Sequence, residues 1–167
     1  MKTLFILCLM SSLLWGGCRI VSEIKAKQNY LGYLKRAADA NSVEMAKKEL
    51  EKAVTEIERQ GLTSGYTSIL WKTPSEDVGF WYNNLKTSLQ ELQNLPVNSS
   101  PLEKSNMLIK LRETLLDGGK DGDSVTYPAG IQIYPNNGLF AFWGTISIIL
   151  TVLFFLIAGA KNDWFDS

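Results

Sequence analysis

Histidine is absent from this chain. That removes the commonest general base and the commonest metal ligand. Cysteine is nearly absent. Cys8 and Cys18 are the two, both in the N-terminal apolar stretch, so no disulfide staples the middle of the chain. An excess of charge of either sign is missing as well. Lysine plus arginine and aspartate plus glutamate each number 17, and that balance argues against nucleic acid as a partner. No catalytic motif occurs, so the expectation is a non-enzymatic protein with no catalytic, cofactor-binding or metal-binding residues.

Two long apolar stretches stand against these absences. From Leu139 to Ala160 no side chain is charged. A helix of that length spans ~33 Å at 1.5 Å per residue, enough for a hydrocarbon core of ~30 Å. Lys161, Asp163 and Asp166 follow at once, and the stretch from Gly122 to Gly138 before it has no lysine or arginine. The positive-inside rule then places a short tail, 161–167, in the cytoplasm and the main domain outside, while Arg19, Lys25 and Lys27 after the first apolar run argue the other way if that run stays uncleaved. Gly144, Ser147, Thr151 and Ala158 fall near one helical face, where small side chains permit close packing on another membrane helix. Trp143 and Trp164 read as interfacial anchors.

Residues 1–18, MKTLFILCLMSSLLWGGC, combine a lysine with a short apolar run, as a secretory signal does. Their end, Leu14-Trp15-Gly16-Gly17-Cys18, resembles a bacterial lipoprotein signal. Gly16, Gly17 and Cys18 match that family's pattern, and Trp15 stands where an aliphatic residue is usual. The resemblance implies lipid attachment at Cys18, which becomes the mature N-terminus. An uncleaved anchor reaching Ile20, with Arg19 snorkelling, is the competing reading. Ordinary signal cleavage is a third.

Residues 20–117 predict a helical domain. A first helix covers about Ile20 to Ala40, with Ile24, Leu31, Leu34 and Ala38 on one face beside Tyr30. A second starts at Asn41, with Glu44 at capping-box spacing, and Val43, Ala46, Leu50, Ala53 and Ile57 form a 3-4-3-4 seam. Its other face pairs Glu44 with Lys48, Lys47 with Glu51 and Lys52 with Glu56, most simply a solvated surface. Gly61 ends it as a C′ residue. A third opens on Thr73-Pro74-Ser75-Glu76 and carries Val78, Trp81, Leu85, Leu89 and Leu92 before Pro96 stops it. A fourth opens on Ser100-Pro101-Leu102-Glu103. Its stripes, Leu108/Leu111/Leu115 and Leu102/Ile109/Leu116, lie on separated arcs and predict the most enclosed of the four. Beyond it, 118–138 reads as loop and short extended segment. Val125–Tyr127 and Ile131–Tyr134 are β-favouring, split by Pro128-Ala129-Gly130, and Pro135 to Gly138 form a hinge. The fold class expected is all-α: a small antiparallel bundle of about four helices, a short β-hairpin or extended segment near 124–134, and one C-terminal transmembrane helix.

Few residues suggest a site. Asp117, Asp121 and Asp123 in DGGKDGD lack the alternation and closing glutamate of an EF-hand, and read as a solvated loop. Asn98-Ser99-Ser100 matches a glycosylation sequon but overlaps a helix cap. Phe80 points away from the seam that takes Trp81 and Tyr82. It needs cover, either from the chain's own Tyr66 and Trp71 or from a partner. Tyr66, Trp71 and Phe80 are therefore the interaction residues expected.

The expected class is a membrane-anchored helical module: an accessory, scaffold or assembly factor at the outer face of a bacterial cytoplasmic membrane, in contact with a protein partner or self-associating through its transmembrane helix. The alternative is a ligand-sensing bundle that resembles, in outline, chemoreceptor and sensor-kinase input domains. With a short tail after the span, it would signal through a separate membrane partner.

Overall fold

A computed structural model describes residues 2–68, 72–119, 122–131 and 137–160. Helix α1 (Lys2–Ala26) passes without a break through a π turn (Lys27–Leu31) into α2 (Gly32–Ala38). Thr3–Ala38 is thus a single rod of 36 residues. The expected first helix, opening at Ile20, is the upper part of this rod. The boundary drawn near residue 18 does not interrupt the backbone. Gly32 fits the π turn, since its N–H bonds to the Lys27 carbonyl and a Cβ there would lie 3.0 Å from that oxygen.

Helix α3 (Val43–Arg59) starts one residue later than the Asn41 cap predicts. Ser42 is extended, and its hydroxyl accepts the Met45 N–H at 3.3 Å, which ordinary serine capping explains. The helix ends as expected. Gly61 is left-handed at φ 69°, the Leu62 N–H reaches the Ile57 carbonyl at 3.0 Å, and Leu62 is buried. The charged face pairs differently from expectation, at i,i+3: Lys52 with Glu49 and Arg59 with Glu56.

The start of the third helix is split in two. Pro74–Glu76 form a 3-10 turn, with Glu76 reaching back to the Thr73 N–H at 3.3 Å. Asp77 is extended and caps α4 (Val78–Asn94) by accepting the Phe80 N–H at 2.9 Å. Asp77 also bridges to Tyr66, and the Val78 N–H bonds to the Gly65 carbonyl at 2.9 Å, so the preceding loop is pinned to this cap. Helix α5 (Pro101–Leu115) has the capping box its sequence predicts, Ser100 N–H to Glu103 carboxylate at 2.7 Å.

Helices α2, α3, α4 and α5 pack as a bundle. Its core takes Tyr30, Leu34, Ala46, Leu50, Ala53, Ile57, Trp81, Leu85, Leu89 and Leu92, so both predicted seams are buried. Two expectations fail. Ile24 is exposed, because Ser22 and Ala26 take the buried face of the rod at this level and Ile24 lies nearly opposite them. Helix α5 is the least enclosed of the bundle helices. Leu111 and Leu115 are buried, but Leu102 is 70 % and Ile109 53 % exposed. The stripe of Leu111 and Leu115 closes the bundle; of the second stripe Leu102 and Ile109 face outward, while Leu116, just past the helix, is buried.

Strands β1 (Leu116–Gly119) and β2 (Gly122–Val125) form the antiparallel hairpin, pairing Leu116 with Val125 and Gly119 with Gly122. It lies upstream of the predicted 124–134 segment. Asp117, Gly118, Gly119, Gly122 and Asp123 of the DGGKDGD stretch, expected as loop, lie on the two strands, with Gly122 at φ 107°; Lys120 and Asp121 lie outside the described residues. The Thr126 N–H bonds to the Leu115 carbonyl at 2.9 Å, and Arg112 pairs with Asp123 and Asp39. Residues 132–136 of the expected strand and hinge lie outside the described residues. The chain then enters α6 (Asn137–Ala160).

Candidate functional site

Helix α6 lies antiparallel against α1, and the face between them is polar. The Ser11 and Ser147 hydroxyls are 3.0 Å apart, and Ser12 and Thr151 are likewise 3.0 Å apart. The indole N–H of Trp15 donates to the Phe140 carbonyl at 2.9 Å, and that of Trp143 donates to the Ser11 hydroxyl at 3.0 Å. The Phe5 and Phe155 rings sit 6.0 Å apart near the far end. At Gly144 the Trp15 ring packs directly on the α6 backbone. A Cβ there would fall 2.2 Å from the Trp15 ring. Ser147 and Ala158 are buried.

The stripe Gly144, Ser147, Thr151, Ala158 is therefore on the buried side of α6, and the helix that Gly144, Ser147 and Thr151 meet is the chain's own α1. Trp143 turns its N–H toward Ser11 rather than standing as an outward anchor; Trp164 lies outside the described residues. Reading each stretch alone missed the partners Ser11, Ser12 and Trp15. Their signal was present: adjacent serines in the middle of an otherwise apolar run.

Cys18 is half-buried within α1, and its thiol is free. No helix terminus or turn marks the Gly16-Gly17-Cys18 sequence. Just above it, the Arg19 guanidinium lies 5.7 Å from the Trp15 ring.

Phe80 is 66 % exposed at the first turn of α4, and Tyr66 is 40 % exposed on the pinned loop, its ring 5.7 Å from the Lys72 ammonium. Trp71 lies outside the described residues. Trp81 and Tyr82, by contrast, are buried. The Trp81 N–H donates to the Thr126 carbonyl at 3.0 Å, and the Tyr82 hydroxyl donates to Glu58.

One buried carboxylate belongs to the bundle. Glu49 receives Lys52 at 2.8 Å and has the Arg36 guanidinium 3.1 Å from its other oxygen, off hydrogen-bond alignment. The Lys52 hydrogen bond, aided by the nearby Arg36 charge, holds its carboxyl below the usual glutamate range. This pairing joins α2 to α3 and serves packing. The Tyr30 hydroxyl is buried with no hydrogen-bond partner among the described residues. Among the described residues no cluster of three acidic or thiol side chains is placed to hold a metal.

Both apolar helices, Thr3–Ala38 and Gly138–Gly159, are long and apolar enough to cross a membrane by length and composition. The second of these is the expected C-terminal span; the first contains the stretch expected as signal peptide or N-terminal anchor, and a signal sequence passes the same test. No protein-family model, curated protein or solved structure matches the chain, so its own geometry is what bears on function.

Proposed function

We propose that the chain is a non-enzymatic accessory or scaffold protein. A two-helix membrane hairpin, α1 with α6, holds its bundle at the outer face of a bacterial cytoplasmic membrane. One observation carries this reading: the hairpin is partitioned inside out. Serine, threonine and glycine lie between its helices, while Leu4, Leu7, Leu13, Ile149, Leu153 and Leu156 point outward. Apolar patches of that extent are rare on soluble monomers and carry no penalty in lipid.

The same packing supports retention of α1 over its removal as a signal. Cleavage before Cys18 would strip α6 of Ser11, Ser12 and Trp15, leaving Ser147 and the Trp143 N–H without these partners. Mass spectrometry of the mature N-terminus tests this. An unmodified start at Met1 is expected, whereas a lipidated start at Cys18 would overturn it. Lys2, which precedes α1's apolar run, and Lys161, which directly follows α6, lie on one side of an antiparallel pair, but Arg19, Lys25 and Lys27 lie on the other and argue for the reverse when α1 is retained, so labelling decides the orientation. With Cys8 and Cys18 replaced, Ser99→Cys should label with an impermeant reagent in intact cells and Ser167→Cys should not. The opposite pattern would reverse the topology.

Scaffolding is supported by what the bundle leaves uncovered: Phe80 and, on α5, Leu102 and Ile109. Aromatic and apolar anchors of this kind dominate protein contacts. Phe80→Ala and Leu102→Ser/Ile109→Ser should each keep the melting temperature of the detergent-solubilised protein. At least one should lose a co-purifying partner. Variants that keep every partner would remove these surfaces from consideration.

A second reading, a ligand-sensing bundle, is favoured by a groove of about 640 Å³ beside the π turn, lined by Gln28, Asn29, Tyr33, Lys52, Glu56 and Arg59. π turns recur at functional sites. A polar metabolite that raises the melting temperature of the wild type but not of Lys52→Ala would favour it.

A further inference from the structure

We propose that the junction between hairpin and bundle holds the headgroup of one zwitterionic phospholipid, its phosphate on Arg19 and its ammonium group on Glu23. This rests on the membrane reading above. A cavity of about 180 Å³ opens there, lined by Arg19, Glu23, Tyr127, Gly130 and Ile131. Its walls come from two elements far apart in sequence, the rod α1 and the segment leading down to α6.

The level in the membrane is set by the side chains around it. Trp15, one turn below Arg19, bonds to the first turns of α6. Outward-facing apolar residues continue up α1 through Ile20 and Val21 to Ile24. Arg19 and Glu23 therefore lie where hydrocarbon gives way to headgroups, and Tyr127 is an aromatic of the kind enriched at that depth.

The chemistry follows from which charges are engaged. Arg19 has no carboxylate within 4 Å among the described residues; its neighbours are the Trp15 ring and the Gly130 backbone. A guanidinium at this depth matches phosphate with paired N–H donors. Gly130, at φ 74°, presents bare backbone, and a Cβ there would lie 3.6 Å from the Arg19 Nη2. Glu23 is one turn above. Lys27 holds its Oε1 at 2.9 Å, which leaves Oε2 for a primary ammonium. A carboxylate beside the phosphate site disfavours headgroups of net negative charge. That points to phosphatidylethanolamine over phosphatidylglycerol.

The test is native mass spectrometry of the full-length protein, delipidated in detergent and re-exposed to phosphatidylethanolamine and phosphatidylglycerol in equal amounts. The wild type is expected to retain one phosphatidylethanolamine. Arg19→Ala should weaken retention about fivefold, the effect of one cation at a lipid surface. Arg19→Lys should keep part of it, and Glu23→Gln should abolish the preference between the two lipids. Lys25→Ala, an exposed cation outside the cavity lining, should change nothing. Equal loss in Lys25→Ala, or equal retention in every variant, overturns the proposal. Free phosphoethanolamine that displaces the lipid would make this a soluble-ligand site and overturn the lipid assignment. A protein that extracts from membranes without detergent would instead overturn the membrane reading. Circular-dichroism melts of each variant separate lost lipid from lost fold.

Discussion

The hairpin and the bundle solve the same packing problem with opposite materials. Between α3 and α4 the buried positions include Leu50, Ile57, Leu85 and Leu89, and the charges other than Glu49 face out. Between α1 and α6 the contact is Ser11 with Ser147 and Ser12 with Thr151, and the leucines face out. In water, burying apolar area drives association. In hydrocarbon that drive vanishes, and close backbone approach with hydrogen bonds between helices takes its place. On the membrane reading proposed above, one chain carries a pattern for each solvent on a single unbroken rod. The π turn lies on the rod between the two regimes.

Breaking the bundle should have the largest effect. Leu50→Ala or Leu89→Ala is expected to cost about 2–5 kcal/mol, read by urea titration or thermal melting of the detergent-solubilised chain. An unchanged melt in both would mean the seam is not a core. Next is the Gly144 contact in the hairpin. Gly144→Leu drives a side chain into Trp15 and should cost about 1–3 kcal/mol of overpacking. Disulfide formation between Ser11→Cys and Ser147→Cys, with Cys8 and Cys18 replaced, should fall in the same variant. Undiminished cross-linking would show that α1 and α6 do not pack through Gly144.

A smaller effect sharpens the contrast. Ser147→Ala should cost only ~0.6 kcal/mol in mixed-micelle unfolding, because hydrogen bonds between membrane helices compete with partners in the unfolded state. A loss matching that of Leu50→Ala would mean the hairpin relies on its polar contacts as heavily as the bundle relies on its core. The smallest effect belongs to the outward face of α5. Leu102→Ala should move the melt by less than ~0.5 kcal/mol. A larger loss would show that this side chain is covered in the intact protein and that α5 is more enclosed than its geometry indicates.

Sequence alone determined the bundle's building blocks. The 3-4-3-4 seam of α3, the stripe of α4, the Schellman end at Gly61 and the Ser100 capping box are local patterns, fixed by helical period and backbone chemistry within a few residues. It also fixed the apolar reach of α6, which needs only a count of uncharged residues. Three things needed the tertiary structure. The enclosure of α5 could not be read from its two stripes, because how much of a stripe is buried depends on how many neighbours remain to cover it. The position of the strand pair, 116–119 with 122–125 rather than near 124–134, was hidden because glycine-rich flanks look the same as a loop until they find each other. The contact of α1 with α6 could not be read from either stretch, because signal peptide, lipoprotein signal and anchor share one composition. Only contact across more than a hundred residues, Ser11 to Ser147, brings the small stripe of α6 against a partner already in the chain.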